Sequence, residues 1–176
     1  MADNQKEKLM PALVIIDMQS SFRAHDNAVS GVLKQIRLFK KYHYPIVLVE
    51  YQNEAKTIDA IEKKLSNYNN VMRVEKDNDD GSEEVSYILK RCHGKIKNLT
   101  ICGVNTCHCV SDTSVGLVHK GFNVKVIYGS VACTCNVENK DTECLEHLRN
   151  EIKRSVDERF YRLSAGGHDK ERLEQC

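Results

Sequence analysis

The chain has 176 residues, 41% of them hydrophobic and 29% charged, with a formal net charge of +1. That length and apolar content suit one globular domain with a substantial core, and the near-neutral mix of charge leaves no electrostatic footprint for nucleic acid or an anionic membrane. No apolar run approaches the roughly 20 residues of a membrane span, and the polar opening MADNQKEKLM reads neither as a secretory signal nor as a transit peptide. Eight cysteines would suit a disulfide framework in a small secreted domain. Beside a large core and no export signal they read as reduced thiols of a cytoplasmic protein.

Two kinds of segment alternate along the chain. Ala12–Asp17 (ALVIID), Pro45–Tyr51 (PIVLVEY), Val71–Lys76 (VMRVEK), Asn98–Val104 (NLTICGV) and Asn123–Gly129 (NVKVIYG) are short, apolar and β-branched. Such near-continuous runs predict strands covered on both faces, as in a parallel sheet. Between them lie stripes at helical spacing. The first joins Val29, Val32, Leu33, Ile36, Phe39 and His43, and a weaker one joins Ile58, Ile61 and Leu65. Val85, Ile88, Leu89 and Cys92 follow, then Val110, Thr113, Ser114, Leu117 and Val118 with Gly121 placed to stop the helix. The last stripe is Cys144, Leu145, Leu148 and Ile152, with Asp141 as its expected N-cap. Strand–helix alternation of this kind predicts a single doubly wound, Rossmann-like α/β domain, a mainly parallel sheet with helices on both faces. The domain is expected over residues 1–160, with 161–176 as a polar tail.

Ligands of an open parallel sheet bind beyond the carboxyl ends of its strands. Asp17 ends the first predicted strand, Lys76 ends the third, and Cys109 follows the fourth at the start of a helix. Each has a plain alternative: a turn-forming Asp, a solvated Lys, a Cys packed as a small hydrophobe. Together they make coherent chemistry. A thiol attacks an acyl carbon as thiolate, and a helix N-terminus and a nearby ammonium favour that anion. A carboxylate can take the thiol proton and return it to a leaving amine, while backbone N–H groups at the strand-to-helix turn hold the oxyanion.

The same residues carry a resemblance. ALVIIDMQSSF, the lysine of VMRVEKDNDDGS, and ICGVNTCHCVSDTSVGLVHKGFNVKVI with its G-V-x-T-x-x-C-V core resemble the isochorismatase-like cysteine hydrolases, a family that includes nicotinamidases and other small-amide hydrolases. The resemblance spans roughly residues 11 to 150. It implies Cys109 as nucleophile, Asp17 as acid/base and Lys76 as the cation that lowers the nucleophile's pKa. It further implies a cis peptide between Val104 and Asn105 and an oxyanion hole formed by the N–H groups of Asn105 and Cys109. Thr106 then stabilises the turn. Phe22 and Gln19 are candidates for pocket wall or loop support, and His108, with Cys107, for the pocket mouth. Members commonly assemble as oligomers, so a homo-oligomer acting on a small-molecule substrate is expected, with no nucleic-acid or membrane partner.

Cys107 and Cys109, two apart on a helix, would point about 200° apart, so only one can face the crevice. Cys102 reads as core, and Cys92 and Cys144 as packing on helix stripes. A structural zinc module built from Cys107, His108, Cys109, Cys133, Cys135, Cys144 and His147 is the competing reading. Its close pairs are C-x-C, however, whereas structural zinc usually uses C-x(2–4)-C. The nicotinamidase zinc motif, an Asp and two His after the second strand, is replaced by VEYQNEAKTIDAIEKKL, which has no histidine. No metal and no cofactor are therefore expected. Relatives that cleave the vinyl ether of isochorismate typically lack the cysteine, so Cys109 points to acyl chemistry. The expectation is a metal-independent cysteine hydrolase of a small amide, imide or ester working through a thioester, with a catalytically silent binding or scaffold protein of the same fold as the alternative.

Overall fold

The structure is a computed structural model that describes residues 10–92, 96–133 and 140–165. Its elements run β1 (Pro11–Ile16), α1 (His25–Lys41), β2 (Ile46–Tyr51), α2 (Asp59–Leu65), β3 (Val71–Lys76), α3 (Ser82–Cys92), β4 (Asn98–Val104), α4 (Cys109–His119), β5 (Asn123–Ala132) and α5 (Lys140–Ala165). The five strands form one parallel sheet in the order β3-β2-β1-β4-β5. The chain winds outward from β1 first to one side and then to the other, so the order reverses between β1 and β4. That reversal opens a crevice at the strands' carboxyl ends.

Period-two alternation along β1 builds two cores. Ala12, Val14 and Ile16 point to one face, where they pack with Val85, Leu89, Val110, Leu117, Leu145 and Leu148 of α3, α4 and α5. Leu13 and Ile15 point to the other, against Val32, Ile36 and Phe39 of α1 and Ile61 and Leu65 of α2. The whole run Ala12–Ile16 is inaccessible to solvent, and burial of each large aliphatic side chain contributes about 1.5–3 kcal/mol. α4 stops as expected. Gly121 takes a φ of +92°, its N–H donates to Val118 O, and Phe122 N–H donates to Leu117 O. This paired closure of the last carbonyls also brings Phe122 and Leu117 into one core.

Several boundaries differ from the sequence reading. β5 runs to Ala132 because Gly129, which looked like its end, sits in a bulge with φ +73°. Extra residues loop out of β5 before Val131 resumes pairing with Gly103, and Ser130 Oγ donates to Ile127 O within the bulge. His43 lies past the end of α1 with φ +56°, exposed, and not on its buried stripe. Asp141 falls inside α5 instead of preceding it, and α5 continues five residues beyond Phe160, to Ala165. Residues 166–176 of the expected tail, Cys135 and the side chain of Cys92 lie outside the described residues.

Gly103 lets β4 lie close to β1 beneath the crevice. It holds a φ of +122°, and a Cβ there would overlap the Ile16 backbone. Gly103→Ala is expected to lower the unfolding free energy by at least about 2 kcal/mol, from backbone strain and overpacking together, as measured by urea denaturation.

Candidate active site

Asp17 follows β1 directly. Its N–H still donates to Val49 O of β2, while its φ of +50° turns the chain out of the sheet, a conformation Asp tolerates better than most residues. Lys76 is the last residue of β3, two strands and so about 10 Å away across the sheet. Its side chain spans that gap under cover of Tyr51, the end residue of β2, whose ring centroid lies 4.3 Å from Nζ. The ammonium reaches Asp17 Oδ2 at 3.0 Å, with both side chains at most 1% exposed, and donates to Asn78 O at 2.9 Å. A lysine this buried is held by an anion, a carbonyl and a π face at once.

Cys109 is the first residue of α4, across the crevice from β1, and is 4% exposed. The turn leading to it begins with a cis peptide between Val104 and Asn105. The Asn105 carbonyl accepts from the N–H groups of His108 and Val110, and Thr106 N–H donates to Ala132 O of β5. Among the described residues, the N–H groups of Asn105 and Cys109 donate to no backbone carbonyl. Cys107 lies in this turn and not on the helix, so its direction relative to Cys109 is set by the turn, not by helical phase.

The Cys109 thiol donates to Asp79 Oδ1 at 3.3 Å, a partner the sequence reading did not single out. Asp79 belongs to the loop after β3, which is stitched together residue by residue. Asp80 N–H donates to Asn78 Oδ1 and Ser82 N–H to Asp80 Oδ1. Buried Thr113 of α4 accepts from Gly81 N–H and donates to Asp79 O. Gly81 has no side chain because Lys76 Cδ would lie 3.0 Å from its Cβ.

Burial pushes the Cys109 thiol well up, Asp17 and Asp79 push it further, and Lys76 opposes them without prevailing. Burial also raises Asp17 above the usual carboxylate range, against the pull of Cys109 and Lys76. Burial and the two carboxylates thus favour the thiol form of Cys109 over the thiolate. Neither Asp17 oxygen has a well-directed hydrogen-bond donor; its attachment to Lys76 is an ion pair. Asp112 is also raised, by burial and by the neighbouring charges of Asp79 and Asp80, so the rim near Cys109 is acidic.

Asp17, Lys76 and Cys109 thus meet, and Asn105 lies in the same turn. Gln19 acts as a brace: its Nε2 donates to Tyr51 O and Ala55 O, and its Oε1 accepts from Tyr51 N–H. Phe22 is half-buried against the α1–α2 core, and His108 is exposed immediately before α4. The segment after β2 does not fit the zinc that the resemblance brings to mind. Residues 44–92 contain no histidine. Glu50 is taken up by Thr57 N–H and Oγ1 and by Arg73, and the loop's backbone is tied down by Gln19.

A parallel α/β sheet with acid, amine and thiol gathered at its switch point defines a hydrolase-like domain of the doubly wound class. The sequence matches the family model described as the isochorismatase domain over residues 11–152, and the chain belongs to that family. It is 28% identical over 152 residues to isochorismatase family protein 1B of Dictyostelium discoideum, covering 81% of this chain and 73% of that protein. Two solved structures share the fold. The MAR1 ribonuclease of Caenorhabditis elegans aligns at a TM-score of 0.68 and 17% identity, over 84% of this chain and 74% of its own. The nicotinamidase of Staphylococcus aureus aligns at 0.67 and 21%, over 82% of this chain and 94% of its own.

Removing the amine should expose the cost of the buried pair. Lys76→Met is expected to lower the unfolding free energy at neutral pH by about 3–5 kcal/mol, since Asp17 then stays buried without its counter-charge. The deficit should shrink as the pH falls and Asp17 takes up a proton, which is readable from denaturation curves at two pH values.

Proposed function

We propose that the protein is a cysteine hydrolase that cleaves the acyl–nitrogen or acyl–oxygen bond of a small molecule through a thioester on Cys109, without a metal in the catalytic step. The observation that carries this reading is the convergence of Asp17, Lys76 and Cys109 on one crevice from three separate strand ends. Family membership and the fold shared with a nicotinamidase support it.

In this mechanism Asp17, ionised and paired with Lys76, accepts the Cys109 proton as Sγ attacks the carbonyl carbon. Deprotonation is thus coupled to attack, as a thiol with a raised pKa requires. The substrate displaces the thiol from Asp79 and turns it toward Asp17. The N–H groups of Asn105 and Cys109 hold the oxyanion, a contribution of about 3–4 kcal/mol per donor in comparable sites. Collapse breaks the C–N bond, Asp17 returns the proton to the leaving amine, and the thioester remains. Water then gives its proton to Asp17 and attacks the thioester carbon, and the acid departs as Cys109 regains its proton. Lys76 keeps Asp17 charged inside the protein and fixes its direction. The acidic rim of Asp79, Asp80 and Asp112 favours neutral or cationic substrates over carboxylates. Self-association and a cytoplasmic location belong to the same proposal, resting on the family and the cysteine content. Among the described residues, no helix is long and apolar enough to cross a membrane.

The substrate is to be found by following the loss of individual compounds from a metabolite extract and a panel of small amides and esters, with wild type against Cys109→Ala. Cys109→Ala and Asp17→Asn are expected to lower kcat by at least about 1,000-fold. Cys102→Ala, whose sulfur is buried in the sheet and whose thiol is raised by burial alone, should turn over like wild type. Loss of all compounds at equal rates with wild type and Cys109→Ala would overturn the reading. Because Asp17 must be ionised to act as base and its pKa is raised, activity should fall on the acid side above the ordinary carboxylate value of 3.8. A kcat/KM–pH profile checks this.

A further inference from the structure

Behind the catalytic turn lies a second group of reactive side chains that the proposed reaction does not use. The Sγ atoms of Cys107, Cys133 and Cys144 all lie within 4.8 Å of one another. They come from three places: the turn before α4, the end of β5 and the first turns of α5. Sequence spacing therefore did not reveal the group, and the C-x-C pairs that argued against a metal are beside the point. Cys107 pairs here with Cys133 and Cys144, not with Cys109. The extension of β5 past its bulge places Cys133 beside the turn, and the Thr106 N–H to Ala132 O bond holds the two segments in register.

We propose that Cys107, Cys133 and Cys144 form a binding site for a thiophilic d10 cation, Zn2+ or Cu+. Thiolate sulfur is the ligand that selects these ions. Tetrahedral zinc with Zn–S bonds of about 2.3 Å sets its sulfurs ~3.8 Å apart, so the three sulfurs observed need only close by less than about 1 Å. Cys133 is buried, at 7% exposure, whereas Cys107 is partly exposed. Cys107 thus gives an ion a route in from solvent, and a water would complete the tetrahedron of zinc. On ligation each protonated thiol releases its proton to solvent, and no electron is transferred. The ion would staple α5 and the end of β5 to the turn that supplies the Asn105 and Cys109 N–H groups. This site is separate from the metal-free chemistry proposed at Cys109.

The test uses the full-length chain, reduced with a phosphine, stripped of metal and titrated anaerobically with Zn2+, Co2+ or Cu+ against chromophoric chelators. One equivalent of ion per chain is expected, with thiolate-to-cobalt charge-transfer absorption for Co2+. The relative affinities for Zn2+ and Cu+ tell which ion the site takes. Cys107→Ser and Cys144→Ser, each checked for native circular dichroism, should weaken binding by more than the roughly 100-fold that loss of an outer-shell partner costs. Cys102→Ala should bind like wild type. Cys144→Ser keeps the test valid if Cys133→Ser fails to fold. Substoichiometric binding by wild type, binding that survives both serine variants, or formation of a disulfide within the trio in preference to metal uptake would overturn the proposal.

Discussion

The site depends on a charge pair that the protein would not tolerate as separate charges. Lys76 and Asp17 are each almost wholly removed from water, and an unpaired ion in such a place carries a desolvation penalty of several kcal/mol. Each is therefore the condition for the other. The pair shapes what lies around it: Tyr51 presents its ring to the ammonium, the Asn78 carbonyl turns inward, and Gly81 lies against the lysine stem, where a Cβ would be a tight fit. What holds two edges of the crevice together also places a carboxyl group next to a sulfur.

That arrangement works against a thiolate at Cys109. An ammonium near a cysteine suggests activation by charge, but here the ammonium is already neutralised by Asp17, and a second carboxylate, Asp79, faces the sulfur. The net field at Cys109 is negative, and burial adds to it. In the proposed reaction the nucleophile stays capped until a carbonyl arrives. On that proposal the reactive state would form when the proton has a destination, leaving little thiolate open to oxidants between turnovers.

The sheet and its reversal were legible in the sequence because buried parallel strands leave runs such as ALVIID and PIVLVEY, which have few other readings. Asp17, Lys76 and Cys109 were legible by position, as ionisable groups ending apolar runs. The parts that were missed share a physical cause: their location depends on backbone irregularity or on tertiary fit. Asp79 is one of three aspartates in DNDDG, and only the hydrogen bonds of Thr113 select it. The extension of β5 hides behind a Gly-Ser pair that looks like a stop. With that strand ended early, Cys133 has no address, and Cys144 reads as one more apolar position on a helix. The three cysteines were among the seven candidate ligands of the competing zinc reading, but their spacing spoke against it and the stripe of α5 identified a face without its partner.

The order of the strands has a further consequence. Asp17 closes the first strand, Cys109 follows the fourth, and Lys76 reaches in from the far edge formed by the third. No contiguous fragment shorter than the stretch from Asp17 to Cys109, about half of the chain, contains all three, and each stands in place only when its own strand has docked in register. Assembly of the crevice is thus a long-range event, of the slow kind in which loop closure precedes any compensating contact. A partly folded chain, even one with most of its helices, has acid, amine and sulfur on separate pieces, so the proposed chemistry would require the completed sheet.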